Sequence, residues 1–131
     1  MGLYKIACVL IGGGIGSVLR FLTVSGVQRL YPDYPAGTWC VNIVGSFVIG
    51  ILWAVCNYFD FSPNLRTFLL VGLLGGFTTF SSFSLETMNL LNAGKIQSAL
   101  TYIVCTNLCG IMAVFAGFYL AKYSLCALKP L

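Results

Sequence analysis

The residues of this sequence that carry chemistry are few, and most of them recur at helical spacing. Thr38, Asn42 and Ser46 stand four apart, and the stripe continues to Gly50; Tyr102, Thr106 and Gly110 repeat the same interval. Residues so spaced share one face of an α-helix. Between the two stripes lies Gly75-Gly76-Phe77-Thr78-Thr79-Phe80-Ser81-Ser82-Phe83-Ser84, where five hydroxyls follow a glycine pair. Phe80 and Phe83 are three apart and share a face, as do Thr79 and Ser82. Hydroxyls and amides donate and accept hydrogen bonds without carrying charge. Such stripes suit the solvation of a small ion or the joining of helices. Acid–base chemistry has little to work with: there is no His, and the acids are Asp33, Asp60 and Glu86. Most general acid–base and metal-hydrolysis mechanisms need a convergent pair of such groups. The six cysteines, at 8, 40, 56, 105, 109 and 126, form no CxxC pair and lie in or beside apolar runs. Cys105 and Cys109 share a face, but two thiols without His or acid neighbours make a poor metal site. They are read as small packing residues.

Composition says what must position these groups. Of 131 residues, 59% are hydrophobic and 8% are charged, where a soluble domain has about a quarter charged. Ten ionisable side chains cannot cover the surface of a soluble monomer this long, so the chain is an integral membrane protein. Its net charge of +4 is dispersed and gives no reason to expect a nucleic-acid partner. A transmembrane helix takes about 20 apolar residues, so four spans use up the chain. They are predicted at about 3–27, 37–58, 65–91 and 96–123, in a single four-helix transmembrane domain of the all-α class. The first run is too long and wrongly flanked for a cleaved signal peptide. Ser62 or Asn64 is placed to cap the third span.

The third span is unusual. Two adjacent glycines and five hydroxyls at bilayer depth disfavour a continuous helix, and irregular backbone at that depth needs protein or a water-filled cavity around it. A break near its middle is predicted, against the alternative of an intact helix with small residues at a tight interface. Charge placement is nearly balanced. Lys5, Arg66, Lys122 and Lys129 fall on one side, and Arg29, Lys95 and a snorkelling Arg20 on the other. So small a positive-inside bias is compatible with insertion in both orientations.

Polar residues inside spans are costly and are functional candidates. The lone hydroxyls fit interhelical hydrogen bonds as well as a polar track, whereas a full amide such as Asn42 needs partners at both ends. The stripes hold donors and no acid, and Arg20 is the one charge well inside a span on that half. Glu86, near the end of span three, faces a vestibule or pairs with Arg20. The residues themselves lead to a small pore or carrier, for an anion rather than a cation.

Three segments go further. Gly13-Gly14-Ile15-Gly16-Ser17-Val18-Leu19-Arg20-Phe21, Gly37-Thr38-Trp39-Cys40-Val41-Asn42-Ile43-Val44-Gly45-Ser46-Phe47 and Gly75 through Glu86 closely resemble the Fluc (CrcB) family of fluoride channels, in the right order and over essentially the whole chain. The resemblance implies passive fluoride export that relieves toxicity, through an antiparallel, dual-topology homodimer with two pores lined by both subunits. The setting is membrane lipid, as a multi-pass protein of the inner (plasma) membrane. It implies that fluoride passes beside Phe80 and Phe83, with Thr79 next to them. Asn42 is then the pore amide, Thr38 and Thr106 lie in the polar track, and Tyr102 is near it. Arg20 would face the vestibule and Glu86 a pore mouth. A structural sodium ion would sit at the dimer centre on the backbone carbonyls of Gly75 and Thr78. Two positions depart from the pattern: Gly110 stands where some relatives carry a hydroxyl, and Trp39 and Cys40 where aliphatic residues are usual. A non-conducting membrane assembly subunit and a proton-coupled fluoride exchanger are the competing readings; an enzyme is the weakest.

Overall fold

The computed structural model describes residues 2–127, all of whose regular structure is helical. Lys129 and Pro130 lie outside the described residues. Helix α1 spans Leu3–Leu30 and α2 Ala36–Tyr58; the third crossing is α3 (Pro63–Arg66), a π-helical stretch (Thr67–Leu74), α4 (Gly75–Phe77) and α5 (Phe80–Asn92); α6 spans Ile96–Ala127. Among the described residues, four helical stretches are long and apolar enough to cross a membrane. The chain is a multi-pass, all-α membrane protein.

The helix ends follow local chemistry. Helix α1 runs three residues beyond its apolar stretch because Gln28 ties the next turn together, its Nε2 donating to the carbonyls of Tyr31, Pro32 and Tyr34 at 3.0, 3.2 and 3.1 Å. At the opposite end of the bundle Asp60 takes φ +48°, and Arg66 gathers the loop behind it, donating to the carbonyls of Phe61 (3.1 Å) and Cys56 (2.8 Å) and to Asn57 Oδ1 (3.1 Å). Its 3.6 Å contact with the exposed Asp60 adds little. Ser62, not Asn64, caps α3, accepting from the Leu65 N–H, with Pro63 at the first helical position. Gly94, at φ +73°, closes α5 into the turn before α6, a conformation that favours glycine.

Packing depends on the absence of side chains along two seams. A Cβ added at Gly16 of α1 would stand 2.1 Å from the Leu73 carbonyl oxygen, and one at Gly76 would stand 2.6 Å from that of Gly13. Between α2 and α6 the same holds for Gly50 against Val114 (2.2 Å) and Gly117 against Phe47 (2.1 Å). In lipid, where no hydrophobic force drives helices together, such close backbone approach supplies the attraction. The break and the tight small-residue interface, set against each other as alternatives for span three, both occur. The glycines pack up to Phe77, and the helix parts just after it.

Candidate functional site

The break comprises Thr78 (φ −85°, ψ 160°) and Thr79 (φ −153°, ψ 118°), both extended. An extended pair inside a span exposes backbone groups with no helical partner, each costly in lipid. Two side chains take them up. The Asn42 amide serves both polar groups of Thr79, accepting from its N–H at 2.8 Å and donating to its carbonyl at 3.0 Å. Arg20 Nη1 donates to the Thr78 carbonyl at 3.1 Å. The Thr79 hydroxyl caps α5 by accepting from the Ser82 N–H at 3.2 Å, and donates to Ser82 Oγ at 3.0 Å. The Thr79–Ser82 pair is therefore a helix cap.

Beside the break is an open-sided cavity of about 400 Å³, walled by Asn42, Gly75, Thr78, Thr79, Phe80 and Thr106 among others. Ser46 and Gly110 of the two stripes also line it, with Asn107 on the adjoining face of α6. The hydroxyl of Thr106 is buried there and is the one buried side-chain polar atom without a hydrogen-bond partner among the described residues. Phe80 is 75% exposed beside it, whereas Phe83 is 6% exposed and packed in the protein. Their ring centroids are 5.4 Å apart and the rings tilted by 44°.

The remaining predicted residues gather elsewhere. Thr38 and Tyr102, both fully buried, donate to the two oxygens of Glu86, Thr38 Oγ1 to Oε1 at 2.6 Å and the Tyr102 hydroxyl to Oε2 at 2.7 Å. They do not line the cavity of Asn42 and Thr106, although each belongs to one of its stripes. Glu86 does not pair with Arg20, because neutral hydroxyls satisfy both its oxygens. Nor does Arg20 snorkel to a membrane face; it is spent on the break, which leaves Arg29 and Lys95 as the cations of that end. Tyr34, on the loop after α1, closes against Tyr102 with ring centroids 5.7 Å apart and an edge-on angle of 80°. Burial raises the Tyr34 phenol above its ordinary pKa, and Cys105 acts in the same direction. The sequence stripes point to neither Tyr34 nor Asn107 as part of the site; their signal lies in the fold, which sets them against predicted residues.

The donor set at the break suits a hard cation on backbone oxygen. Thr79 gives its N–H to Asn42, so the Gly75 carbonyl loses the partner that helical geometry would have provided. Gly75 and Thr78 both face the cavity. The Thr78 carbonyl already accepts from Arg20, so a cation bound there would take its second lone pair.

The fold and site define a multi-pass membrane protein whose third span opens, near its middle, onto a cavity lined by apolar side chains and a few uncharged hydrogen-bonding groups. The family model described as "CrcB-like protein, Camphor Resistance (CrcB)" matches residues 7–118. A protein of Parabacteroides distasonis named fluoride-specific ion channel FluC is 45% identical over 127 residues, covering 95% of this chain and 98% of its own length. Proteins with the same name from Agrobacterium fabrum (47% over 120 residues; 90% and 96% covered) and Pyrococcus horikoshii (44% over 118 residues; 89% and 95%) are similarly related. The chain belongs to the CrcB-like family.

Proposed function

We propose that this chain is a subunit of a fluoride-selective channel that lets fluoride leave the cell passively through the inner (plasma) membrane. The observation that carries the reading is the cavity beside the break, with the Thr106 hydroxyl buried in its wall and unpartnered. An orphaned donor is costly unless something occupies it. Fluoride is small and strongly hydrated, and shedding its water in a membrane requires close donors. Thr106, Ser46 and Asn107 are at hand, and the cavity wall contains no carboxylate to repel an anion. The positive ring edge of Phe80, with Phe83 packed behind it, offers a weaker contact that stabilises the ion without trapping it, as conduction requires. The relatives named fluoride-specific ion channels support the same reading.

The cavity is open on one side at a depth where lipid cannot satisfy polar groups. A second copy of the chain, inverted in the membrane, covers it, giving an antiparallel homodimer with two pores. A sodium ion on the Gly75 and Thr78 carbonyls of both copies would join them at the centre, supplying positive charge where freed carbonyls face one another. Transport, without catalysis, is the whole of this activity.

The test is fluoride efflux from liposomes holding only this purified protein, with valinomycin and potassium to clamp the voltage and chloride as the control ion. Fast voltage-driven fluoride loss without chloride loss is expected. Flux that follows a pH gradient rather than the voltage would make the protein a proton-coupled exchanger, and silence would make it either a non-conducting subunit or a chain that conducts only with a related partner chain.

A further inference from the structure

Steps of four residues along α2 and α6 bring the two stripes together as a series of pairs, each about 5.4 Å further along the axis. In the first pair, Thr38 and Tyr102 commit both hydroxyls to Glu86. In the second, Asn42 serves the backbone of Thr79 and the Thr106 hydroxyl is left unpartnered. In the third, Ser46 of α2 faces Gly110 of α6. A Cβ added at Gly110 would stand 3.6 Å from Ser46 Oγ and 3.9 Å from Ile43 Cδ1, ordinary contact that displaces nothing. One turn further on the seam closes, since a Cβ at Gly50 would meet the Val114 carbonyl oxygen.

The hydroxyl residues lining the cavity beside the break are Ser46, Thr78, Thr79 and Thr106. Thr78 donates to the Leu74 carbonyl at 3.0 Å and Thr79 to Ser82 Oγ at 3.0 Å. Hydroxyls inside helices commonly turn back to the main chain. Those of Ser84, Thr87 and Ser124 do so here, donating to the carbonyl four residues earlier at 3.0, 2.8 and 2.8 Å. Ser46 makes no such bond among the described residues, and the bare α-carbon of Gly110 opposite leaves its hydroxyl uncovered. Thr106 and Ser46 are therefore the two uncommitted hydroxyls of this wall, one on each helix.

We infer that the line of anion donors changes helix, from Thr106 of α6 to Ser46 of α2, and that Gly110 keeps the Ser46 hydroxyl open to the ion. The inference rests on the channel reading above. The wall beside the third pair is otherwise aliphatic, with Ile49, Ile111 and Val114. An anion that has shed water there without a donor is strongly disfavoured, so the one hydroxyl of the pair carries the step. Its role is to present an O–H to the ion, and either helix can supply it. The space opposite Ser46 admits a serine side chain at position 110 without moving backbone.

The experiment compares voltage-clamped liposome fluoride efflux of the wild type with Ser46→Ala, Gly110→Ala and two double variants, Ser46→Ala with Gly110→Ser and Ser46→Ala with Gly110→Ala. Ser124→Ala is the control, a helical serine that does not line the cavity. Size-exclusion profiles and melting temperatures no lower than the wild type's establish that each variant is assembled. Ser46→Ala is expected to lower flux about three- to tenfold, the effect of one lost hydrogen bond to an ion. Gly110→Ala covers the hydroxyl without removing it and is expected to lower flux about twofold or more. Ser46→Ala with Gly110→Ser should return to within about twofold of the wild-type rate, and its alanine counterpart should not. Recovery by a hydroxyl placed on the other helix separates a donor from a packing residue, because the original packing is not restored. Ser124→Ala should stay at the wild-type rate. If Ser46→Ala does not assemble, Gly110→Ala decides alone: reduced flux supports the inference and wild-type flux overturns it. A conducting wild type with an assembled Ser46→Ala at the same rate, or a serine swap no better than its alanine counterpart, overturns the inference and leaves the channel reading standing. A silent wild type removes the homomeric channel on which the inference rests, and both fall together.

Discussion

Toward α1 the third span presents Gly72 and Gly76, where an added methyl would meet backbone at 2.9 and 2.6 Å; toward α2 and α6 it presents Thr78, Thr79 and Phe80 to a cavity of about 400 Å³. The first face is sealed by removing side chains, so that main chain lies against main chain. The second is held open by side chains that satisfy the main chain from a distance, with Asn42 and Arg20 taking the polar groups of the two extended residues. One helix can carry both because the tight seam fixes its first half and lets the second half change direction. Stability is therefore concentrated on the glycine face, and the proposed ion path lies on the hydroxyl face.

Substitutions that separate the two faces test this division. Gly16→Ala should have the largest effect. Its methyl meets the Leu73 carbonyl at 2.1 Å, where backbone cannot yield as a side chain can, and a loss of about 3 kcal/mol or more, at the top of the range for overpacking, is expected in thermal melts of the detergent-solubilised protein. Asn42→Ala should come next and should damage both faces. It strands the N–H and carbonyl of Thr79 at about 1–3 kcal/mol each, so the melting temperature and fluoride flux should fall together. Phe80→Ile should leave a folded protein with much reduced flux, because the ring is 75% exposed and carries little of the chain's packing; undiminished flux would show that the ring is dispensable. Thr106→Val removes a hydroxyl that bonds to nothing in the protomer, so efflux should drop while the melting temperature holds or rises by up to about 1 kcal/mol equivalent. Smallest of all, Gly14→Ala places its methyl in open space and should change stability by less than about 0.5 kcal/mol. Equal damage from Gly14→Ala and Gly16→Ala would end the distinction between the faces.

The four spans and the position of the break were legible because apolar length and the weakness of glycine in helices are properties of local sequence. The four-residue spacing likewise placed Asn42 with Ser46, and Thr106 with Gly110, on faces that do line one cavity. The spacing could not tell which partners each face would meet. Thr38 and Tyr102 belong to those same stripes, yet they turn to Glu86, 48 and 16 residues away in sequence. A pair with Arg20 is one of the two readings the sequence offers for Glu86, beside a vestibule position, because opposite charges are scarce in a membrane. The break overrode that expectation by offering Arg20 an unpartnered carbonyl, and two hydroxyls were in place for Glu86. The π-helical stretch at Thr67–Leu74 had no visible sequence signal, since its residues would sit equally well in an α-helix.

The Asn42 bracket on Thr79 has a mechanical consequence. A side-chain amide that both accepts from and donates to one residue behaves as a short piece of neighbouring strand, so α2 is stitched to the backbone of the third span at Thr79. Before that stitch the span is clasped by α1; after it, α5 buries Phe83 and Leu90 and is tied at Glu86 to Thr38 of α2 and Tyr102 of α6. Thr79 is therefore a joint between an arm held by backbone contact and an arm held by side-chain hydrogen bonds. Force applied to the α5 arm bears on Glu86 and the Asn42 amide before it reaches the glycine seam.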